Sequence, residues 1–156
     1  MESKASFQAE LSMSYLNKQE MNSKTQCCLL IEDDPEDQEF FLDALHSVSA
    51  NTGCYAVSNG EEALFMLQHE RVSPDFIFTD VNMPRMGGLE FLKKIKRIES
   101  LQNIPVIVYS SSCPEDKAQE VKQLGASAVY CKTRIDVLKD ILKKYFHEPS
   151  PGTSIL

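Results

Sequence analysis

From residue 27 onward, short apolar runs alternate with longer segments whose apolar residues return every three or four positions. Residues 27–31 (CCLLI) form the first run, followed by acids and Pro35, a residue suited to a first helical turn. Phe40, Phe41, Ala44, Leu45 and Val48 then recur at helical spacing. A short strand is predicted over 54–57, and Asn59-Gly60 turns the chain into a helix carrying Ala63, Leu64 and Leu67 on one face. The third run is 76–79 (FIFT), and Leu89, Phe91, Leu92, Ile95 and Ile98 predict a third helix. The fourth strand is predicted over 105–109, with a helix over 116–124 stopped by Gly125. The fifth run is 128–131, and Ile135, Leu138, Ile141, Leu142 and Tyr145 mark a last amphipathic helix.

Five strand–helix units follow. Strands that are apolar throughout imply a parallel sheet covered on both faces. Right-handed crossovers then give an α/β fold of three layers, a doubly wound, flavodoxin-like five-stranded parallel sheet in the order 2-1-3-4-5. Residues 26–146 are expected to form the domain. Residues 1–25 are expected as a polar, flexible extension compatible with a short helix over 8–16, and 147–156 as a flexible tail.

Net charge narrows the function. At −7 it argues against a nucleic-acid binder with a basic surface and suits a protein that handles a cation. Five cysteines without a CxxC pair read as buried thiols of a reducing compartment. With no apolar signal segment and no run long enough to span a membrane, a cytoplasmic protein is expected.

In such folds the functional crevice lies beyond the carboxyl ends of the strands. Glu32, Asp33 and Asp34 follow strand one, and Asp80 and Asn82 follow strand three. Ser110, Ser111 and Ser112 follow strand four, and Lys132 follows strand five. Alone, each group has an ordinary explanation: an acid-rich helix start, a serine cap, a solvated lysine. Four complementary groups at four converging strand ends are harder to dismiss. Crowded carboxylates call for a cation, and hard oxygen donors favour Mg²⁺. A lysine and a serine hydroxyl suit phosphoryl oxygens, and an in-line carboxylate can accept a phosphoryl group.

These segments resemble the receiver domain of two-component response regulators, over about residues 26–146. LLIEDDPED is similar to that family's first strand and acidic pair, and DVNMPRMGG to its D-x-x-M-P-x-M-x-G phosphorylation segment. IPVIVYSSS and GASAVYCK are similar to the strands that end in Ser/Thr and in lysine. The resemblance implies Asp80 as phosphoacceptor, Ser110 as switch hydroxyl and Lys132 as phosphate-binding lysine. It implies a Mg²⁺ site of Asp33, Asp80, the Asn82 backbone carbonyl and, through water, Glu32; a one-residue shift would exchange Asp33 and Asp34. Gly87 or Gly88 is expected to release the chain into helix three.

The family pattern breaks twice. Thr133 stands where proline usually follows the lysine. Because a cis bond before a non-proline costs about 2.5–4 kcal/mol, Lys132–Thr133 is expected to be either trans or a strained cis bond. Val129 stands where an aromatic is usual, and Tyr130, one step later, belongs to the opposite face of its strand. The resemblance implies a stand-alone signalling switch rather than an enzyme, with no chemistry beyond its own phosphorylation and dephosphorylation. Its partners would be a sensor histidine kinase or phosphotransfer protein and a downstream effector protein. No direct nucleic-acid or membrane contact is expected, and homodimers are known among similar members. Two alternatives are a Mg²⁺-dependent phosphohydrolase with an aspartyl-phosphate intermediate and a degenerate receiver that binds partners without phosphate.

Overall fold

A computed structural model of the chain describes residues 25–112 and 115–146. The possible helix over 8–16, residues 1–24 of the extension and the tail over 147–156 lie outside those residues. Strands β1 (Cys27–Ile31), β2 (Gly53–Val57), β3 (Phe76–Thr79), β4 (Val106–Ser110) and β5 (Ala128–Cys131) alternate with five helices. These are α1 (Pro35–Val48), α2 (Gly60–Gln68), α3 (Gly88–Ile95), α4 (Glu115–Gln123) and α5 (Ile135–Leu142). The strands pair in parallel in the order β2-β1-β3-β4-β5, as the apolar runs predicted.

Side-chain alternation divides the core into two layers. Leu29, Ile31, Ile77, Val106 and Val108 face one side, under Leu64 and Leu67 of α2, Phe91, Leu92 and Ile95 of α3, and Val121 of α4. Cys28, Leu30, Phe78, Ile107 and Tyr109 face the other, under Phe41, Ala44 and Leu45 of α1 and Leu138, Ile141 and Leu142 of α5. Burying each such large side chain stabilises the fold by about 1.5–3 kcal/mol. Cys27 and Cys28 are buried as expected, and burial pushes the Cys28 thiol pKa up, but Cys54 is half-buried and Cys131, at the end of the edge strand β5, is exposed.

Local chemistry sets the helix ends. Asp34 caps α1 by accepting from the Glu36 N–H at 2.8 Å, and Pro35 opens the first turn. Asn59 caps α2 by accepting from the Glu62 N–H at 3.1 Å. Gly125, at φ +112°, closes the segment after α4 in a conformation that side chains disfavour.

Several predicted bounds shift. β4 begins at Val106 rather than Pro105, because proline has no N–H for the ladder, and its last residue is Ser110. α3 and α5 end at Ile95 and Leu142, before the predicted Ile98 and Tyr145. Those two residues lie in tight turns, with Ile98 N–H donating to Ile95 and Tyr145 N–H to Leu142. Phe40, expected on the buried stripe of α1, is 37% exposed.

Candidate functional site

β1, β3, β4 and β5 are consecutive in the sheet, so their carboxyl ends form one edge. Glu32 leaves β1 buried, its N–H donating to Val57 O at 2.9 Å. Asp33 beside it is exposed. The Asp80 N–H donates to Ile31 O at 3.0 Å, which extends the β1–β3 ladder and fixes the carboxylate beside Glu32. Carboxylate oxygens of Glu32, Asp33 and Asp80 all lie within 4.8 Å of one another. Asp34 stands apart from them, since its carboxylate caps α1.

Asp80 is buried and held at both carboxylate oxygens. Oδ1 accepts from the Val81 N–H at 2.6 Å and from the Ser110 hydroxyl. Oδ2 accepts from Lys132 Nζ at 3.0 Å. Burial alone would push this carboxyl pKa up. The bonds from Ser110, Lys132 and Val81, with the Lys132 charge, outweigh burial and hold it below the ordinary carboxylate value. Glu32 goes the other way. Its burial, reinforced by the Asp80 charge, raises its carboxyl despite bonds from Lys132 and the Asp34 N–H.

Lys132 follows β5, with its N–H donating to Ser110 O at 3.0 Å. Its ammonium donates to Glu32 at 2.6 Å, Asp37 at 2.7 Å and Asp80 at 3.0 Å. Burial disfavours that charge, but the three carboxylates outweigh it and push the pKa up. Asn82 lies farther out, and its side-chain amide donates to Ser112 Oγ at 2.6 Å.

The turn out of β3 depends on close approach. A Cβ on Gly88 would lie 1.9 Å from the Asp80 carbonyl oxygen, and one on Gly87 would lie 2.6 Å from that of Val81. Both positions therefore require glycine, for want of space rather than for an unusual φ. Arg85, at φ 65°, takes the left-handed turn between them and β3.

Sequence reasoning missed two members of this region. Asp37 lies in the first turn of α1, and its carboxylate accepts from Lys132 Nζ at 2.7 Å; the acid-rich EDDPED run was the available signal. Tyr109, one residue before Ser110, accepts from the Thr133 N–H at 3.4 Å. No peptide bond among the described residues is cis, so Lys132–Thr133 is trans. Thr133 thereby contributes an N–H that proline would lack. A cavity of about 190 Å³ opens on this side, among Asp37, Phe40, Phe41, Tyr109, Lys132 and Thr133.

Residues 28–143 match the family model described as the response regulator receiver domain. The chain is a member of that family. This receiver is 38% identical over 92 residues to sporulation initiation phosphotransferase F of Bacillus subtilis, covering 58% of this chain and 71% of the relative. It is 29% identical over 120 residues to response regulator Rcp1 of Synechocystis sp., covering 74% and 80%. A Bacillus subtilis C4-dicarboxylate response regulator, DctR, is 33% identical over 118 residues, covering 75% of this chain but only half of its own length. Among solved structures, the phosphorylated cyanobacterial phytochrome response regulator RcpA superposes with a TM-score of 0.69 at 28% identity, covering 77% of this chain and 90% of RcpA. The Mn²⁺-bound form of Rcp1 superposes with a TM-score of 0.67 at 26% identity, covering 76% and 90%.

The receiver's three-carboxylate cluster supplies the hard oxygen donors that Mg²⁺ or Mn²⁺ takes. Its two departures at β5 are also visible. Val129 packs against the layer under α2, α3 and α4, whereas Tyr130 joins the opposite layer. There the Tyr130 hydroxyl lies 3.2 Å from that of Tyr145, so it does not replace an aromatic at 129. No helix among the described residues is long and apolar enough to cross a membrane.

Proposed function

We propose that this receiver is a phosphorylation switch in which Asp80 accepts a phosphoryl group from a histidine kinase or phosphotransfer protein. The observation that carries the reading is the state of Asp80: ionised, oriented at both oxygens, and beside a cation-binding cluster and a lysine. An Asp80 carboxylate oxygen attacks the donor phosphorus. The new P–O bond forms as the bond from phosphorus to the donor's imidazole nitrogen breaks, leaving an acyl phosphate. Lys132 and the Ser110 hydroxyl turn from the Asp80 carboxylate to the phosphoryl oxygens. Asp33, Asp80, the Asn82 backbone carbonyl and, through water, Glu32 would hold a divalent cation, which would supply positive charge beside the transferring group.

Ser110 ends β4 and Lys132 follows β5, so their shift moves both strand ends and biases a two-state equilibrium of the α4–β5–α5 surface, where an effector protein would bind. A phosphohydrolase of the aspartyl-phosphate type needs a proton donor two residues after its nucleophile. Here that place holds Asn82, whose amide bonds Ser112. The test is intact mass after incubation with Mg²⁺ and acetyl phosphate. The wild type is expected to gain one phosphoryl group and Asp80→Asn none; equal gain by both, or none by the wild type, overturns the reading.

A further inference from the structure

An ammonium has three N–H donors, and all three of Lys132 are engaged by carboxylates. Glu32 and Asp80 hold two from the site itself. The third goes to Asp37, which belongs to neither the acidic pair nor the phosphoacceptor loop. The three partners differ in how readily they can release the lysine. Glu32 and Asp80 side chains are 5% and 10% exposed, whereas Asp37 is 46% exposed. Water can replace the lysine at Asp37 with little desolvation cost. Asp37 and Lys132 also border the cavity of about 190 Å³, which gives both side chains room to move.

We propose that Asp37 is a positioning residue that competes with the phosphoryl group for Lys132, and so sets how tightly the phosphorylated state is held. The proposal rests on Asp80 being the phosphoacceptor. In the resting chain Asp37 steadies the ammonium between β5 and α1, within reach of Asp80. When a phosphoryl group arrives on Asp80, its oxygens need the same N–H groups. The part of the lysine's charge that Asp37 retains is withheld from them. Removing the Asp37 charge while keeping its shape leaves Lys132 freer for the phosphoryl oxygens. The phosphorylated state then becomes tighter, an effect that damage to the fold would not produce.

The test is the affinity of beryllofluoride, a phosphoryl mimic, at saturating Mg²⁺, measured by calorimetry and by ¹⁹F NMR. Asp37→Asn is expected to bind about threefold to tenfold more tightly than wild type, the scale of one partly exposed charge-assisted hydrogen bond. Glu36→Gln removes the same charge one residue away, from a side chain that is exposed, and is expected to stay within about twofold of wild type. Unchanged or weaker binding by Asp37→Asn, or an equal gain by Glu36→Gln, overturns the proposal. A wild type that binds no beryllofluoride would instead overturn the role given to Asp80.

Discussion

Replacing Gly88 by alanine is expected to damage the fold and the site together. The added Cβ would lie 1.9 Å from the Asp80 carbonyl oxygen, and 2.9 Å from both the Asp80 carbonyl carbon and Thr79 Oγ1. A close C···O contact is about 3.3 Å, so the carbonyl would have to retreat by about 1.4 Å. That carbonyl belongs to the backbone that holds Asp80, whose N–H is tied to Ile31 O and whose Oδ1 is tied to Val81 and Ser110. Overpacking of this kind costs about 1–3 kcal/mol. For a domain of this size each kcal/mol lowers Tm by about 3–5 °C, so a fall of about 3–15 °C is expected. Displacing a reacting group by about 1 Å can cost about 100-fold in rate, so phosphorylation by acetyl phosphate should slow far more than stability alone explains. Gly53→Ala is the control, because no atom beyond its two chain neighbours lies within 4 Å of its added Cβ. Tm by circular dichroism, and phosphorylation rate well below both transitions, decide the matter. A Gly88→Ala protein within about 2 °C of wild type and phosphorylated at the same rate would refute the reasoning.

Three other perturbations are specific. Phe146 is 1% exposed and packs edge-on against Phe76 at 5.4 Å, although it lies beyond the family match, so Phe146→Ala should cost about 3–5 kcal/mol in denaturant unfolding while Phe65→Ala, 46% exposed, costs under about 1 kcal/mol. Burial raises the Glu32 carboxyl in the folded state above its unfolded value, so this group favours folding most below about pH 4.3 and progressively less as pH rises through the folded value. Tm in EDTA should carry that downward slope, Glu32→Gln should flatten it, and Mg²⁺ should raise Tm more at about pH 7.5 than at about pH 5. Thr133→Pro removes the 3.4 Å N–H bond to Tyr109, a long and weak one, and should lower stability by about 0.5 kcal/mol in the same unfolding assay.

Much of this molecule could be read in advance because its signals are local. Five apolar runs separated by helical spacing leave one sheet order of common topology, and that order alone brings Glu32, Asp80, Ser110 and Lys132 to one edge. What escaped depends on how elements meet. Nothing in the spacing of α1 shows that its first turn comes within reach of Lys132, so Asp37 read as one more acid at a helix start. Phe40 kept the period of the buried stripe but borders a cavity, because the helix packs through Phe41, Ala44 and Leu45 instead. Ser110 was placed just past β4, and the N–H of Lys132 draws it into the ladder. The Tyr109–Thr133 bond joins two strand ends 24 positions apart and has no sequence signature. At Val129 and Tyr130, by contrast, the two-residue period was enough to separate the faces.

The central claim is that Asp80 carries the phosphoryl group, and chemical trapping tests it most directly. Borohydride reduces an aspartyl phosphate to homoserine, which peptide mass spectrometry locates by residue. After treatment with Mg²⁺ and a phosphodonor, homoserine is predicted at position 80, absent when Mg²⁺ is withheld. Homoserine at Asp33, Asp34 or any other carboxylate, or phosphate gained with no homoserine at 80, would contradict the account.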